Sequence, residues 1–204
     1  WSEQDTSYLL QTVDPSFPRS ARWNNILHKI SELEPSIGHL RDDLKESVKQ
    51  AQKCLKDFML ALSEDNHNRF TPAKAYQDKP ILGLLEKVYA PVTLEIHGMN
   101  KSLEHVLSIL EKIRKSVLEM DPSRTDYSVL HSVLDRGLET TSSLMNSLIR
   151  LTENQDNDWV YWMEGEYRSP NTPKEKLIIS LHASLVDVAE TLKEQFFKRF
   201  DYCL

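Results

Sequence analysis

Apolar residues between positions 44 and 62 recur at alternating intervals of four and three residues. This spacing places all of them on one face of a helix. Pro35 suits a first helical turn, so we predict one long amphipathic helix that starts after Glu34-Pro35 and ends at the polar residues 63–66. Its predicted inward residues are Leu44, Val48, Ala51, Leu55, Phe58 and Leu62.

Two more long helices are predicted by the same kind of spacing. The second ends at Asp121-Pro122, and the third runs from about Asp126 to Leu151. The second has Met99, Leu103, Val106, Leu110, Ile113, Val117 and Met120 inward. The third has Leu130, Leu134, Leu138, Met145 and Leu148 inward.

Shorter helices are expected at about 21–33 and between Pro80 and Tyr89. Near-heptad spacing favours shallow crossing angles, so the sequence predicts a mainly α protein: an elongated antiparallel helical bundle. A coiled-coil dimer is the alternative, but several apolar helix faces within one chain can pack against one another.

The pattern changes after residue 157. Aromatic and β-branched residues at 159–163 and 177–181 predict two strands, joined by a loop from Gly165 to Glu175. We expect a helix from Ser184 to Phe200, with Ser184 as its N-cap and Asp187 at position N3. Residues 1–157 are thus assigned to the bundle and 158–204 to a small strand and helix segment.

Composition fits a globular domain, with 40% hydrophobic and 27% charged residues and only 5 glycines. The formal charge of −6, from 25 basic and 31 acidic residues, should repel nucleic acid from most of the surface. Any DNA contact is therefore expected to be a local patch.

Two cysteines, Cys54 and Cys203, are too few for a disulfide framework and indicate a reducing compartment. Neither a membrane-spanning apolar run nor a signal peptide is found, so we expect a soluble, cytoplasmic protein without membrane contact. The chain starts at Trp1 and stops at Leu204, and we interpret it as part of a larger protein.

No catalytic or metal site is predicted. The glycines are isolated, which argues against a phosphate-binding loop, and the Cys and His residues lack metal-ligand spacing. His182, Ser184 and Asp187 are too close in sequence to form a triad. Glu164 and Glu166 could act as paired carboxylates on a strand, but Gly165 favours a solvated loop edge.

Five residues near the C-terminal end are candidates for nucleic-acid binding. The cations of the predicted loop could contact phosphates, and two aromatic side chains could stack on bases. The alternatives are plain surface cations and aromatic residues that seal the end of the bundle. The candidates are Arg168, Lys174, Lys176, Trp159 and Tyr161.

The C-terminal segment carries a resemblance to a known family. Trp159–Glu164, a loop, Leu177–Ala183, the run Ser184-Leu185-Val186-Asp187-Val188 and Phe200–Leu204 follow one another in order. This order resembles the exit from the arch domain of DinG/XPD-like superfamily 2 helicases. In that family it leads to the Thr-Ser-Ala-Thr motif that opens the second motor domain.

The resemblance implies an accessory arch domain of an ATP-dependent DNA helicase, which guides single-stranded DNA and contacts the motor domains of its own chain. ATP and Mg²⁺ would belong to those motor domains; no cofactor is expected in this segment, and an iron–sulfur cluster elsewhere is left open. The alternative is an independent helical protein–protein interaction module without enzymatic activity.

Overall fold

The computed structural model describes residues 1–14, 25, 27–29, 31–32, 35–66, 90–119, 127–153, 159–167 and 177–185. Over these residues the protein is mainly α-helical, with packed helices and one small antiparallel sheet near the C-terminal end. The predicted fold class is therefore confirmed. The predicted helix between Pro80 and Tyr89 lies outside the described residues.

The three long helices form where the apolar spacing predicts them. Helix α2 spans Pro35–Asn66, α3 spans Thr93–Leu118 after a short 3₁₀ turn at Ala90–Val92, and α4 spans Tyr127–Glu153. All six predicted inward residues of α2 are buried, as are six of the seven in α3; Met120 lies outside the described residues. Residues 25, 27–29 and 31–32 are also helical.

Helix α1, Glu3–Val13, has no counterpart among the predictions. The Ser2 hydroxyl accepts a hydrogen bond from the backbone N–H of Asp5 at 3.1 Å, which caps the helix. Thr6, Leu10 and Val13 follow at intervals of four and three and are buried. The sequence therefore contains a helical apolar pattern in this segment, but the pattern has only three inward residues.

Contacts between α3 and α4 establish that these helices are antiparallel. Leu110 lies against Gly137, and Arg114, one turn further along α3, pairs with Asp135, which precedes Gly137 in α4. Val13 of α1 also reaches Gly137, so three helices meet where α4 has no side chain. The core is continuous from this point into α2 and the sheet.

Strands β1, Trp159–Tyr167, and β2, Leu177–Leu185, form an antiparallel pair in which Met163 lies opposite Leu181. Tyr161, Met163, Ile179 and Leu181 are buried in the hydrophobic core. Because strand side chains alternate, positions 164 and 182 lie on the opposite face, away from the helices.

The structure corrects two predicted boundaries. Gly165 does not open a loop; it is buried within β1 opposite Ile179, and the strand continues to Tyr167. Glu164 and Glu166 are therefore strand residues rather than a loop edge. Ser184 is not a helix N-cap either, because it lies in β2 opposite Val160. Asp187 lies outside the described residues.

Candidate nucleic-acid interface

The two aromatic candidates have different environments. The side chain of Tyr161 is 4% exposed and belongs to the hydrophobic core, so its ring is not available for stacking on a base. Trp159 is half-buried, and the guanidinium carbon of Arg150 lies 4.7 Å from the centroid of its ring. This is cation–π geometry, and it joins the end of α4 to the start of β1.

The three cationic candidates, Arg168, Lys174 and Lys176, lie outside the described residues. The ends of the hairpin nevertheless fix where their segment is attached. Trp159 is the first residue of β1 and Tyr167 is the last. At a rise of about 3.3 Å per residue these two positions are about 26 Å apart. The structure therefore places the attachment of the cationic segment far from Trp159.

The outer face of α4 is polar along almost its whole length. An open groove of 620 Å³ follows its first half, and a second of 430 Å³ follows its second half. Both are lined by Glu139. Among described residues, the first is lined by Ser128, His131, Ser132, Asp135, Arg136 and Glu139. The second is lined by Glu139, Ser142, Ser143, Asn146, Ser147 and Arg150.

Ion pairs organise the first groove. Asp135 lies 3.0 Å from Nε of Arg114 in α3 and 2.8 Å from Nδ1 of His131, one turn before it in α4. The Asp135 and Arg114 side chains are 45% and 44% exposed. Such a pair contributes little to stability, but it partly neutralises an acidic residue beside the groove.

The second groove has an unusual composition for this chain. No acidic residue occurs between Glu139 and Glu153, although the whole protein carries 31. Beyond Glu139 at its border, its described polar side chains are hydroxyls, one amide and the guanidinium of Arg150. These groups donate hydrogen bonds to anionic oxygens without adding negative charge. No sequence motif marks this stretch, so its residues are not among the predicted binding candidates.

The outward face of the hairpin holds a second pair of titratable groups. Nε2 of His182 lies 3.8 Å from Oε2 of Glu164, and about one third of each side chain is exposed. The distance is long for a hydrogen bond. The two groups lie across neighbouring strands and can attract each other when the imidazole is protonated.

Residues 1–2 lie beside β2 and pair with it through an isolated β-bridge. The Trp1 α-amino group donates a 2.8 Å hydrogen bond to the carbonyl of Leu181, whose backbone N–H donates to the carbonyl of Trp1, also at 2.8 Å. Ser2 pairs antiparallel with Ser180. Burial lowers the pKa of the Trp1 α-amino group, and the nearby Asp5 carboxylate partly opposes this shift.

The described residues contain no cluster of three or more His, Cys, Asp or Glu side chains arranged to hold a metal ion. None of the helices in the same part of the chain is long and apolar enough to span a membrane.

No family model matches this chain, and neither curated proteins nor solved structures contain a significant match to it.

Proposed function

We propose that this chain is an arch-like accessory domain of an ATP-dependent DNA helicase and that it guides single-stranded DNA past the motor domains. ATP binding and hydrolysis, with Mg²⁺, would take place in those motor domains. The domain itself supplies a surface and has no chemical step of its own.

The observation that carries the proposal is the pairing of residues 1–2 with Ser180 and Leu181. Residues 1–2, which precede α1, are thus antiparallel neighbours of β2, which follows α4. A domain inserted into a larger fold needs its incoming and outgoing segments close together, since they replace two neighbouring positions of the parent. An arch domain is an insertion of this kind.

The order of the C-terminal elements supports the same proposal. A strand, a connection and a second strand follow the bundle, as in the arch exit that the sequence resembles. The Asp187-Val188 part of the resemblance lies outside the described residues.

The alternative function, a helical interaction module, would use apolar surface that the core does not need. The heptad positions of α2 and α3 are directed inward. Exposed large apolar side chains among the described residues are distributed over α1, α2 and α3. They are Tyr8, Leu9, Leu60, Leu94 and Leu118.

The first experiment is fluorescence anisotropy of a labelled single strand of about 20 nucleotides, titrated with the 204-residue chain at several salt concentrations. Phosphate contacts release counterions, so affinity should fall steeply between about 50 and 200 mM salt. Reversal of Arg168, Lys174 and Lys176 to Glu tests whether the predicted loop takes part.

The matched control reverses Lys53, Lys56 and Lys101, which are exposed on α2 and α3, to Glu. It changes net charge by the same amount. Weaker binding in the loop variant than in the control would support the predicted loop contacts. Absence of salt-dependent binding by the unmodified chain would contradict DNA guidance by this domain and favour the interaction module.

A further inference from the structure

We propose that the outer face of α4 between Arg136 and Arg150 is the track along which the sugar–phosphate backbone of the single strand lies. The inference rests on the proposed function and assigns it a surface that differs from the predicted loop. The ligand class is single-stranded nucleic acid, bound through phosphate oxygens without base recognition.

The residue types on this face are poorly explained by helix stability. Exposed positions of α2 carry strong helix formers, such as Lys49, Lys53 and Lys56. At the equivalent outward positions α4 has serine and asparagine, which form helices less well because their side chains compete for backbone hydrogen bonds. Hydroxyl and amide groups are, however, frequent phosphate contacts in protein–DNA complexes. A bound phosphate backbone would account for their presence.

The charges on this face are also favourable for a polyanion. Asp135 is paired with Arg114 and His131, so among the described lining residues Glu139 is the remaining acidic one. Arg136 and Arg150 lie on either side of it. From Ser142 to Arg150 the face carries only neutral donors and one cation. In a chain of net charge −6 this is a local surface that an anionic strand can approach.

The dimensions fit a short stretch of nucleic acid. Fourteen helical steps separate Arg136 from Arg150, about 21 Å at about 1.5 Å per residue. A stacked strand with a rise of about 3.4 Å per nucleotide places about six nucleotides over that length. This falls within the range of about 4–16 nucleotides bound by sequence-independent single-strand sites.

The cation–π contact orients Arg150 at one end of the track. Arg150 is held 4.7 Å from the centroid of the Trp159 ring, so its guanidinium loses less conformational freedom when it binds a phosphate. The same planar group can stack on a base that leaves the track. One side of the Trp159 ring is covered by the Arg150 guanidinium. Trp159 is therefore proposed to orient Arg150 rather than to contact the strand on that side.

Two sets of variants test the proposal in the anisotropy assay. In R136Q/R150Q two phosphate contacts are lost, so affinity should fall on the order of tenfold and the salt slope should become shallower by about 1.4. In S142A/S143A/S147A affinity should fall while the unfolding temperature stays the same or rises, because alanine is the better helix former. A purely structural role of these serines would not produce opposite effects on binding and stability.

The matched control for charge is K53Q/K56Q on α2, which removes two exposed cations from another face. It should leave the salt slope unchanged. Proximity between the DNA strand and α4 is tested with a photo-crosslinking side chain at position 143. The control places the same side chain at position 56. Crosslinks to the strand are expected only from position 143.

The outcomes separate the two proposals. Salt-dependent binding that responds to the loop variant but not to R136Q/R150Q or S142A/S143A/S147A would overturn the α4 track and leave DNA guidance intact. Absence of binding by the unmodified chain would contradict both. Loss of affinity in the α4 variants alone, with crosslinking at 143, would support the track.

Discussion

Gly137 of α4 lies so close to Val13 of α1 that a β-carbon added to the glycine would stand 3.2 Å from Cγ1 of Val13. The same β-carbon would stand 3.6 Å from both terminal methyl groups of Leu110 in α3. The glycine therefore sets the distance at which three helices meet.

Replacement of Gly137 by Val should destabilise the protein by about 1–3 kcal/mol, because the added methyl groups must displace Val13 or Leu110 from a filled core. Gly98 in α3 is the matched control, since nothing lies within 4 Å of an added β-carbon there. Gly98→Ala should instead stabilise by about 0.5–1 kcal/mol. Urea unfolding measures both. A Gly137→Val protein as stable as the unmodified one would contradict the packing described.

Phe58 is fully buried in α2, with its ring centroid 6.0 Å from that of Trp1 in an edge-to-face arrangement. Phe58→Ala should lower the free energy of unfolding by about 3–5 kcal/mol, because it removes a large apolar side chain and leaves a cavity. Leu60→Ala is the control on the same helix; that side chain is 47% exposed. It should cost less than about 0.5 kcal/mol. Equal effects of the two substitutions would place Phe58 outside the core.

When the 204-residue chain is prepared by itself, its stability should depend on the Trp1 α-amino group below pH 8. Burial lowers its pKa in the folded protein below the ordinary value of 8.0. As the pH falls through 8.0, the unfolded chain therefore binds a proton before the folded one does, and the free energy of unfolding decreases. Above 8.0 both states are neutral and this loss is absent.

N-terminal acetylation removes the titrating group and keeps an N–H donor for Leu181. The acetylated and free chains should unfold alike at pH 9, and the acetylated chain should be the more stable at pH 6.5. Chemical denaturation at both pH values measures the difference. A free chain that is the more stable at pH 6.5 would indicate that its ammonium group is stabilised in the folded state.

Ser184 distinguishes the observed strand from the predicted helix start. In β2 it is exposed and lies opposite Val160, so Ser184→Val should be neutral or slightly stabilising, because β-branched residues favour strands. At a helix N-cap the same change would cost about 1 kcal/mol. The unfolding midpoint in urea decides between them, with Ser184→Thr as a control that suits both positions.

The long helices were predictable because each has five to seven inward residues at helical spacing, and a run of that length is hard to produce by chance. Pro35 fixed one boundary through backbone geometry alone. Helix α1 was missed because three inward residues give little periodicity. The strand ends were misplaced because glycine and serine usually end an element, whereas here Gly165 and Ser184 are held in it by pairing with the neighbouring strand.

The candidate interface was less predictable because its residues are separated along the sequence. Arg150 and Trp159 are separated by nine positions and lie in different elements, so no local pattern joins them. Alternation within a strand could place Tyr161 and Met163 on one face, but not decide whether that face met helices or solvent. The predicted inward residues of α4 also implied its outer face, but not the two grooves along that face.

The pairing of Trp1 with Leu181 also has a consequence in time. The two residues are 180 positions apart, and at about 5–20 residues per second a ribosome needs roughly 9–36 s to synthesise the chain between them. Helix α1 and the long helices can form and pack during that interval, while the strand that Trp1 will join has not yet been made. Trp1 is thus synthesised well before its partner strand, and its contacts with Leu181 are among the last to form within the described residues.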